Sequence, residues 1–209
     1  GIDFLHNLKE DRHMEFSAMR ELCFDAVVQS VVSEYFGNDL FLWGSVFQLK
    51  SEGVSENIWH HDRAYENGRA QINLYDTSNH FSILFALTDI GYDAGRIEYV
   101  KGSHLPIDGW DRDIRFLHEV PEIVQDRIGT LTVERGQFAM FHSSLMHRSL
   151  AFERGEPRIS LAVRLARKGT EIPKPLSTKS KSSFNNEMSL QVFGQEFVAH
   201  EVDLVEEES

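Results

Sequence analysis

From Gly37 onward the sequence runs in short apolar segments with turn residues between them. The segments 41–49, 57–63, 70–75, 81–88, 96–100, 129–133, 137–142, 145–152 and 158–166 are rich in Phe, Val, Ile and Leu. Gly, Asn, Asp or Pro punctuate the gaps. None of the ~10–15-residue helix-period patterns that parallel crossovers require lies between them. A doubly wound α/β sheet is therefore excluded, and a β-sandwich or barrel is predicted. Ahead of this region Phe16, Met19, Leu22, Cys23, Ala26, Val27 and Val31 recur at helical spacing, which predicts one amphipathic helix that stops at Gly37-Asn38. The expected class is mainly β (α+β), with flanking N-terminal helices.

A single domain over 1–209 is expected, with its core at about 40–166. The Lys-, Ser- and Pro-rich stretch 168–189 reads as a mobile loop, and 201–209 as a solvated acidic tail. The balance of 21 Lys+Arg against 33 Asp+Glu leaves a net charge of -12. Nucleic acid is thereby excluded as a partner, because phosphate binding needs a basic surface. The one cysteine, Cys23, cannot form an internal disulfide and fits a reducing, cytoplasmic compartment. On the helical stripe it reads as a small buried apolar residue. No apolar run approaches the ~20 residues of a membrane span. The start, Gly1-Ile2-Asp3-Phe4, lacks a basic region followed by an apolar one, so no signal peptide is expected.

Among ten histidines the densest cluster is Trp59-His60-His61-Asp62. In a strand, residues two apart share a face, so His60 and Asp62 would project together and His61 away from them. An imidazole and a carboxylate on one face are two of the three donors of a two-histidine, one-carboxylate facial triad for non-heme Fe(II). The competing reading is a polar strand end, with Asp62 paired to Arg63 or Arg69. A third donor must come from downstream, where His80, His104, His118, His142 and His147 are candidates. Past His147, Arg158, Ser160, Ala162 and Arg164 alternate with Ile159, Leu161, Val163 and Leu165. A guanidinium facing into a β-structure needs an anion, since an unpaired buried charge is costly. Arg158 offers a planar fork and Ser160 a hydroxyl to a small dicarboxylate; alternatively Arg158 pairs with Glu153 or Glu156 across the preceding turn.

Four motifs in order give the chain a family resemblance. Trp59-His60-His61-Asp62 is similar to a W-H-x-D metal motif. Gly95 through His104 is similar to G-x-L-x-x-x-P-G-S-H, with Lys101 in place of Pro. Gly136 through His147 resembles G-D-x-x-x-F-H-S-x-x-x-H, and Arg158 follows eleven residues later. The chain thus resembles the phytanoyl-CoA dioxygenase-like family of Fe(II)/2-oxoglutarate oxygenases over about residues 43–166. An Asn often found shortly after the last histidine is absent, with Leu150, Ala151 and Phe152 filling that region.

The resemblance implies a double-stranded β-helix of the jelly-roll or cupin kind. It assigns His60, Asp62 and His147 to iron, and Arg158 with Ser160 to the far carboxylate of 2-oxoglutarate. Gln48 resembles a polar amide position that touches the cosubstrate. His104 belongs to a structural turn, and His142 packs beside the site. The implied reaction is a hydroxylation of an unactivated C–H bond with O2, converting 2-oxoglutarate to succinate and CO2. Asp62, where a halogenase would have Gly, agrees with hydroxylation. Arg63, Tyr65, Arg69 and Arg164 near the pocket mouth would favour an anionic or zwitterionic small molecule. Two other readings of the same barrel stand beside this one: an inactive binding module, and a cupin-type metal isomerase or lyase.

Overall fold

The computed structural model describes residues 13, 16–65, 79–110, 116–170 and 190–191. The predicted strand 70–75, residues 171–189 of the predicted loop and the acidic tail lie outside the described residues.

The predicted helix is two helices, α1 (Ser17–Cys23) and α2 (Ala26–Phe36). The break comes at Asp25, whose carboxylate accepts from the backbone N–H of Val27 at 2.8 Å and of Val28 at 3.4 Å. Such a cap satisfies two N–H groups that a helix start leaves without partners. Because the helix restarts there, the apolar stripe changes phase. Cys23, Val28 and Val32 are buried, while Val27 is 66% exposed and Phe16 49%. Burial also pushes the Cys23 thiol up to about 12, so it packs as an apolar group. Gly37 ends α2 at φ 79, a backbone conformation that favours glycine, and its N–H returns to Ser33 O at 2.9 Å.

Ten strands follow among the described residues: β1 (Leu40–Lys50), β2 (Asn57–His60), β3 (His80–Ala86), β4 (Ile97–Val100), β5 (Phe116–Leu117), β6 (Ile128–Leu131), β7 (Phe138–His142), β8 (His147–Ser149), β9 (Arg158–Arg167) and β10 (Leu190–Gln191). They form two antiparallel five-stranded sheets, ordered β10-β1-β9-β3-β7 and β5-β2-β8-β4-β6. The architecture is a double-stranded β-helix with helices on one side. The two-residue strands β5 and β10 are too short to leave a periodic signal, and no such strands are expected from the sequence.

Alternation along the strands divides the core into layers. Phe81, Ile83 and Phe85 of β3 and Leu161, Val163 and Leu165 of β9 pack with Val28, Val32 and Cys23 of the helices. The intervening residues, including Leu84, Ala86 and Ala162, meet Ile97 and Val133 between the sheets. A third cluster, with Trp59, Trp110, Val100, Val124 and Met146, backs the second sheet. Hence β9 is covered on both faces, and its interior face carries Arg158, Ser160, Ala162 and Arg164.

Loss of the helix cap gives a direct check. Asp25→Ala should lower stability by about 1 kcal/mol. In urea unfolding this is read as a lower midpoint with an unchanged slope; an unchanged midpoint would deny the cap its role.

Candidate metal and cosubstrate site

His60 closes β2 and His147 opens β8, and the antiparallel register sets the two directly opposite each other. Their rings lie 4.5 Å apart, centroid to centroid. In each imidazole Nδ1–H donates to the carbonyl two residues back: His60 to Ile58 O at 2.8 Å, His147 to Leu145 O at 2.9 Å. These bonds fix the orientation of each ring and leave Nε2 as its ligand atom. The G-S-H stretch supports this arrangement from behind. Ser103 Oγ accepts from Met146 N–H at 2.8 Å, and Val100 N–H donates to Met146 O at 2.9 Å. The turn after β4 thereby pins the residue before His147.

Asp62 arrives differently from the strand alternation expected of it. The strand stops at His60, and Asp62 begins a 3-10 turn over Asp62–Tyr65. The turn brings the carboxylate to the imidazoles, with one ligand atom from each of His60, Asp62 and His147 all within 4.8 Å of one another. Among the described residues the ion-pair partner of Asp62 is Arg164, whose Nη2 meets its Oδ1 at 3.2 Å. Arg164 therefore does not stand free at a pocket mouth, and Arg63 is buried. Arg69 and the side chain of Tyr65 lie outside the described residues.

Burial would raise the Asp62 pKa, but the Arg164 charge, the neighbouring imidazoles and a Ser82 hydrogen bond outweigh it and bring it down to about 2. Burial, together with the His147 charge, lowers His60 to about 4. At neutral pH the site therefore holds a carboxylate and an unprotonated His60, the forms a metal ion needs. Two imidazoles and one carboxylate around one point make a two-histidine, one-carboxylate facial triad, and this donor set suits a non-heme Fe(II). Among the described residues this is the one cluster of three or more such donors.

The triad lines a cavity of about 530 Å³, open mouth included, whose walls carry Leu84, Ile97, Leu131, Phe141 and Leu145. Gln48 reaches the same cavity from β1. Beyond it lie Arg158 and Ser160, the latter opposite Gln48 in register. Arg158 is fully buried. It donates through Nη1 to Gly95 O at 2.6 Å and through Nη2 to Gln48 Oε1 at 3.3 Å. Both partners are neutral; the expected alternative partners, Glu153 and Glu156, do not reach it. Its Nε and the Ser160 hydroxyl are buried without a hydrogen-bond partner. Loss of water pulls the Arg158 pKa down to about 10, still well above neutrality. A buried guanidinium with a spare N–H, beside an unmet hydroxyl, fits a carboxylate.

Two of the other candidate histidines pack together outside the triad. His104 stacks on His142, with ring centroids 5.7 Å apart, and His142 Nδ1 accepts from Ser144 N–H at 3.0 Å. Neither joins the triad. Ser82 and Arg164 are the site residues that sequence reasoning missed as such. Their signal is the alternation of β9, which puts Arg164 on the face of Arg158 and Ser160, with Ser82 beside it in register.

A family model, phytanoyl-CoA dioxygenase (PhyH), matches residues 3–159. The fold and donor set define a jelly-roll metalloprotein, and the chain belongs to the PhyH family. Solved structures agree at the level of fold. The non-heme alpha ketoglutarate dependent epimerase SnoN from nogalamycin biosynthesis matches with TM-score 0.61 and 19% identity, over 76% of this chain and 61% of that one. EctD from S. alaskensis gives TM-score 0.63 and 19% identity, over 80% and 60%. AviO1 from Streptomyces viridochromogenes Tue57 gives 0.57 and 18%, over 74% and 63%. This chain spans less than two thirds of the length of each of these three. No curated protein matches the sequence.

The buried imidazoles give a pH prediction for the metal-free protein. His60 and His13 are both held at about 4, His13 by burial and then by the Arg20 charge, whereas an unfolded imidazole titrates near ~6.5. Between these values the unfolded chain binds more protons, so stability must fall as pH falls. The Asp62 contribution is present above the ordinary carboxylate range and is lost toward about 2. The urea midpoint should decline steadily from about pH 6.5 to 4; a midpoint that rises on acidification contradicts the buried, neutral imidazoles.

Proposed function

We propose that this chain is the oxygenase domain of an Fe(II)- and 2-oxoglutarate-dependent dioxygenase that hydroxylates a small-molecule substrate. The observation that carries the reading is the pairing of a compact His60–Asp62–His147 triad with a buried Arg158 that, among the described residues, meets no carboxylate and is hydrogen-bonded to Gln48 on the wall of the triad's cavity. His60, Asp62 and His147 would hold the iron. Arg158 and Ser160 would take the distal carboxylate of the cosubstrate, with Gln48 orienting the guanidinium. When bound, iron and cosubstrate supply the oxidising power for attack on a C–H bond using O2.

The chain's own residues do three things in this scheme. The backbone-tied imidazoles present Nε2 without needing to reorganise. The Arg158–Ser160 end sets the direction in which a diacid can enter, since the buried guanidinium meets only neutral acceptors among the described residues. The apolar side chains Leu84, Leu131, Phe141 and Leu145 keep bulk water from the reacting centre. With Arg164 committed to Asp62, the case for an anionic or zwitterionic substrate rests on Arg63, Tyr65 and Arg69 alone. A cytoplasmic location accords with the single, buried Cys23; among the described residues no helix is long and apolar enough to cross a membrane.

Three measurements test the proposal. Asp62→Ala and His147→Ala should each weaken Fe(II) binding at least tenfold in anaerobic calorimetry; unchanged affinity would remove the triad from the metal. Arg158→Ala should leave metal binding intact and raise the 2-oxoglutarate Kd at least tenfold. The unaltered protein with Fe(II), 2-oxoglutarate and O2 should form succinate slowly even without primary substrate, and none at all would count against an oxygenase.

A further inference from the structure

The acid of the triad is held from the opposite sheet. His60 and His147 belong to the β5-β2-β8-β4-β6 sheet, but the groups that grip Asp62 come from the other sheet. Arg164 on β9 meets Oδ1 at 3.2 Å. Ser82 on β3 is the register partner of Arg164 and, beside it, helps hold the same carboxylate in its charged form. Ser82 Oγ is in turn 2.9 Å from Ser143 Oγ. The Arg164 guanidinium carbon lies 5.6 Å from the centre of the Trp43 ring, so the aromatic face supports it. The ion pair is withdrawn from water, with side-chain exposures of 11% for Arg164 and 6% for Asp62.

A carboxylate has two oxygens, and a facial triad can use one of them without filling the positions needed by cosubstrate and O2. We propose that Arg164 is a positioning residue that occupies Asp62 Oδ1 and so restricts this carboxylate to a single-oxygen contact with the metal. Without the guanidinium, Asp62 can turn both oxygens to the ion and close a position that 2-oxoglutarate requires. Arg164 also offsets the carboxylate charge, leaving the divalent charge of the ion to face a dianion. This inference rests on the oxygenase reading above and assigns to the arginine a role in coordination, not in substrate contact.

The test uses Co(II), whose visible absorption reports its coordination number, together with calorimetry for 2-oxoglutarate. Arg164→Gln and Arg164→Lys are compared with the unaltered protein, with circular dichroism to verify folding. In the unaltered protein 2-oxoglutarate should shift the Co(II) bands. Arg164→Gln should still bind Co(II), show altered bands before any cosubstrate is added, and bind 2-oxoglutarate at least tenfold more weakly. Arg164→Lys, which keeps a charged donor, should restore the bands and most of the affinity. A purely structural role would give a lower melting temperature with unaltered Co(II) bands in the folded fraction, and would overturn the proposal. So would Arg164→Gln with bands and 2-oxoglutarate affinity equal to the unaltered protein. If Arg164→Gln does not fold, Ser82→Ala, which removes the second donor, should shift the bands in the same direction, and unchanged bands there would again overturn it. If the unaltered protein shows no response of bound Co(II) to 2-oxoglutarate, the oxygenase reading itself fails.

Discussion

The antiparallel pairing of β2 with β8 is the contact on which the site depends. It sets His60 opposite His147 and leaves both rings on the interior face. Much of the surrounding structure serves to keep that pairing in register. β4 lies on the far side of β8, with Tyr99 opposite His147, and the Ser103 turn holds Met146. Behind the sheet, Trp59 is buried with Met146 and Val100, and Arg148 stacks on Trp59 at 4.7 Å while pairing with Glu98. A one-residue slip would send one imidazole to the outer face, because side chains alternate with period two. The packing of Trp59 and Met146 on that outer face opposes such a slip, since each would have to leave the apolar cluster for the interior.

The two sheets contribute different chemistry. The β5-β2-β8-β4-β6 sheet supplies the imidazole ligands, each tied to its own backbone. The β10-β1-β9-β3-β7 sheet supplies the charges and hydroxyls, namely Arg158, Ser160, Arg164, Ser82 and the Gln48 amide. Asp62 is the link between them, because its 3-10 turn carries it off the end of β2 toward Arg164. The helices have no part in the chemistry. They cover the outer face of the second of these sheets, so that the strand bearing Arg158 and Arg164 is still apolar on its other side.

Legibility in the sequence followed the physics of each element. The short β segments were readable because turn residues interrupt them and alternation marks their faces, and eight of the nine predicted segments fall on or around described strands, with 70–75 outside the described residues. The two-residue strands carried no signal. The helix break was written in the sequence as Asp25, yet a continuous apolar stripe concealed it, and only the cap hydrogen bonds reveal the change of phase. The histidine pair followed from motif order. Asp62 did converge with His60, but through a 3-10 turn instead of strand alternation. Arg164 shows where sequence reasoning stops: alternation placed it on the correct face, but its partner is a residue 102 positions away. Register alone could not distinguish an ion pair with Asp62 from a free cation at a pocket mouth.

Charge balance gives the site its direction. Asp62 and Arg164 cancel within the protein, but Arg158 meets only neutral acceptors and, among the described residues, no carboxylate. Its pKa of about 10 means that it remains charged at neutral pH despite complete burial. A fold does not retain an unmatched guanidinium for stability, because a buried charge without a counter-ion costs several kcal/mol. Such local conflicts concentrate where a ligand resolves them. An anion binding there restores the missing partner, and any ligand that binds only the folded form also stabilises it by mass action. The site is therefore asymmetric: a neutralised acid and two imidazoles suit a divalent cation, and an uncompensated guanidinium behind Gln48 on the cavity wall suits a carboxylate. A molecule that bridges the two must carry an anionic group at one end and metal-binding oxygens at the other, and the depth between triad and guanidinium then selects its length.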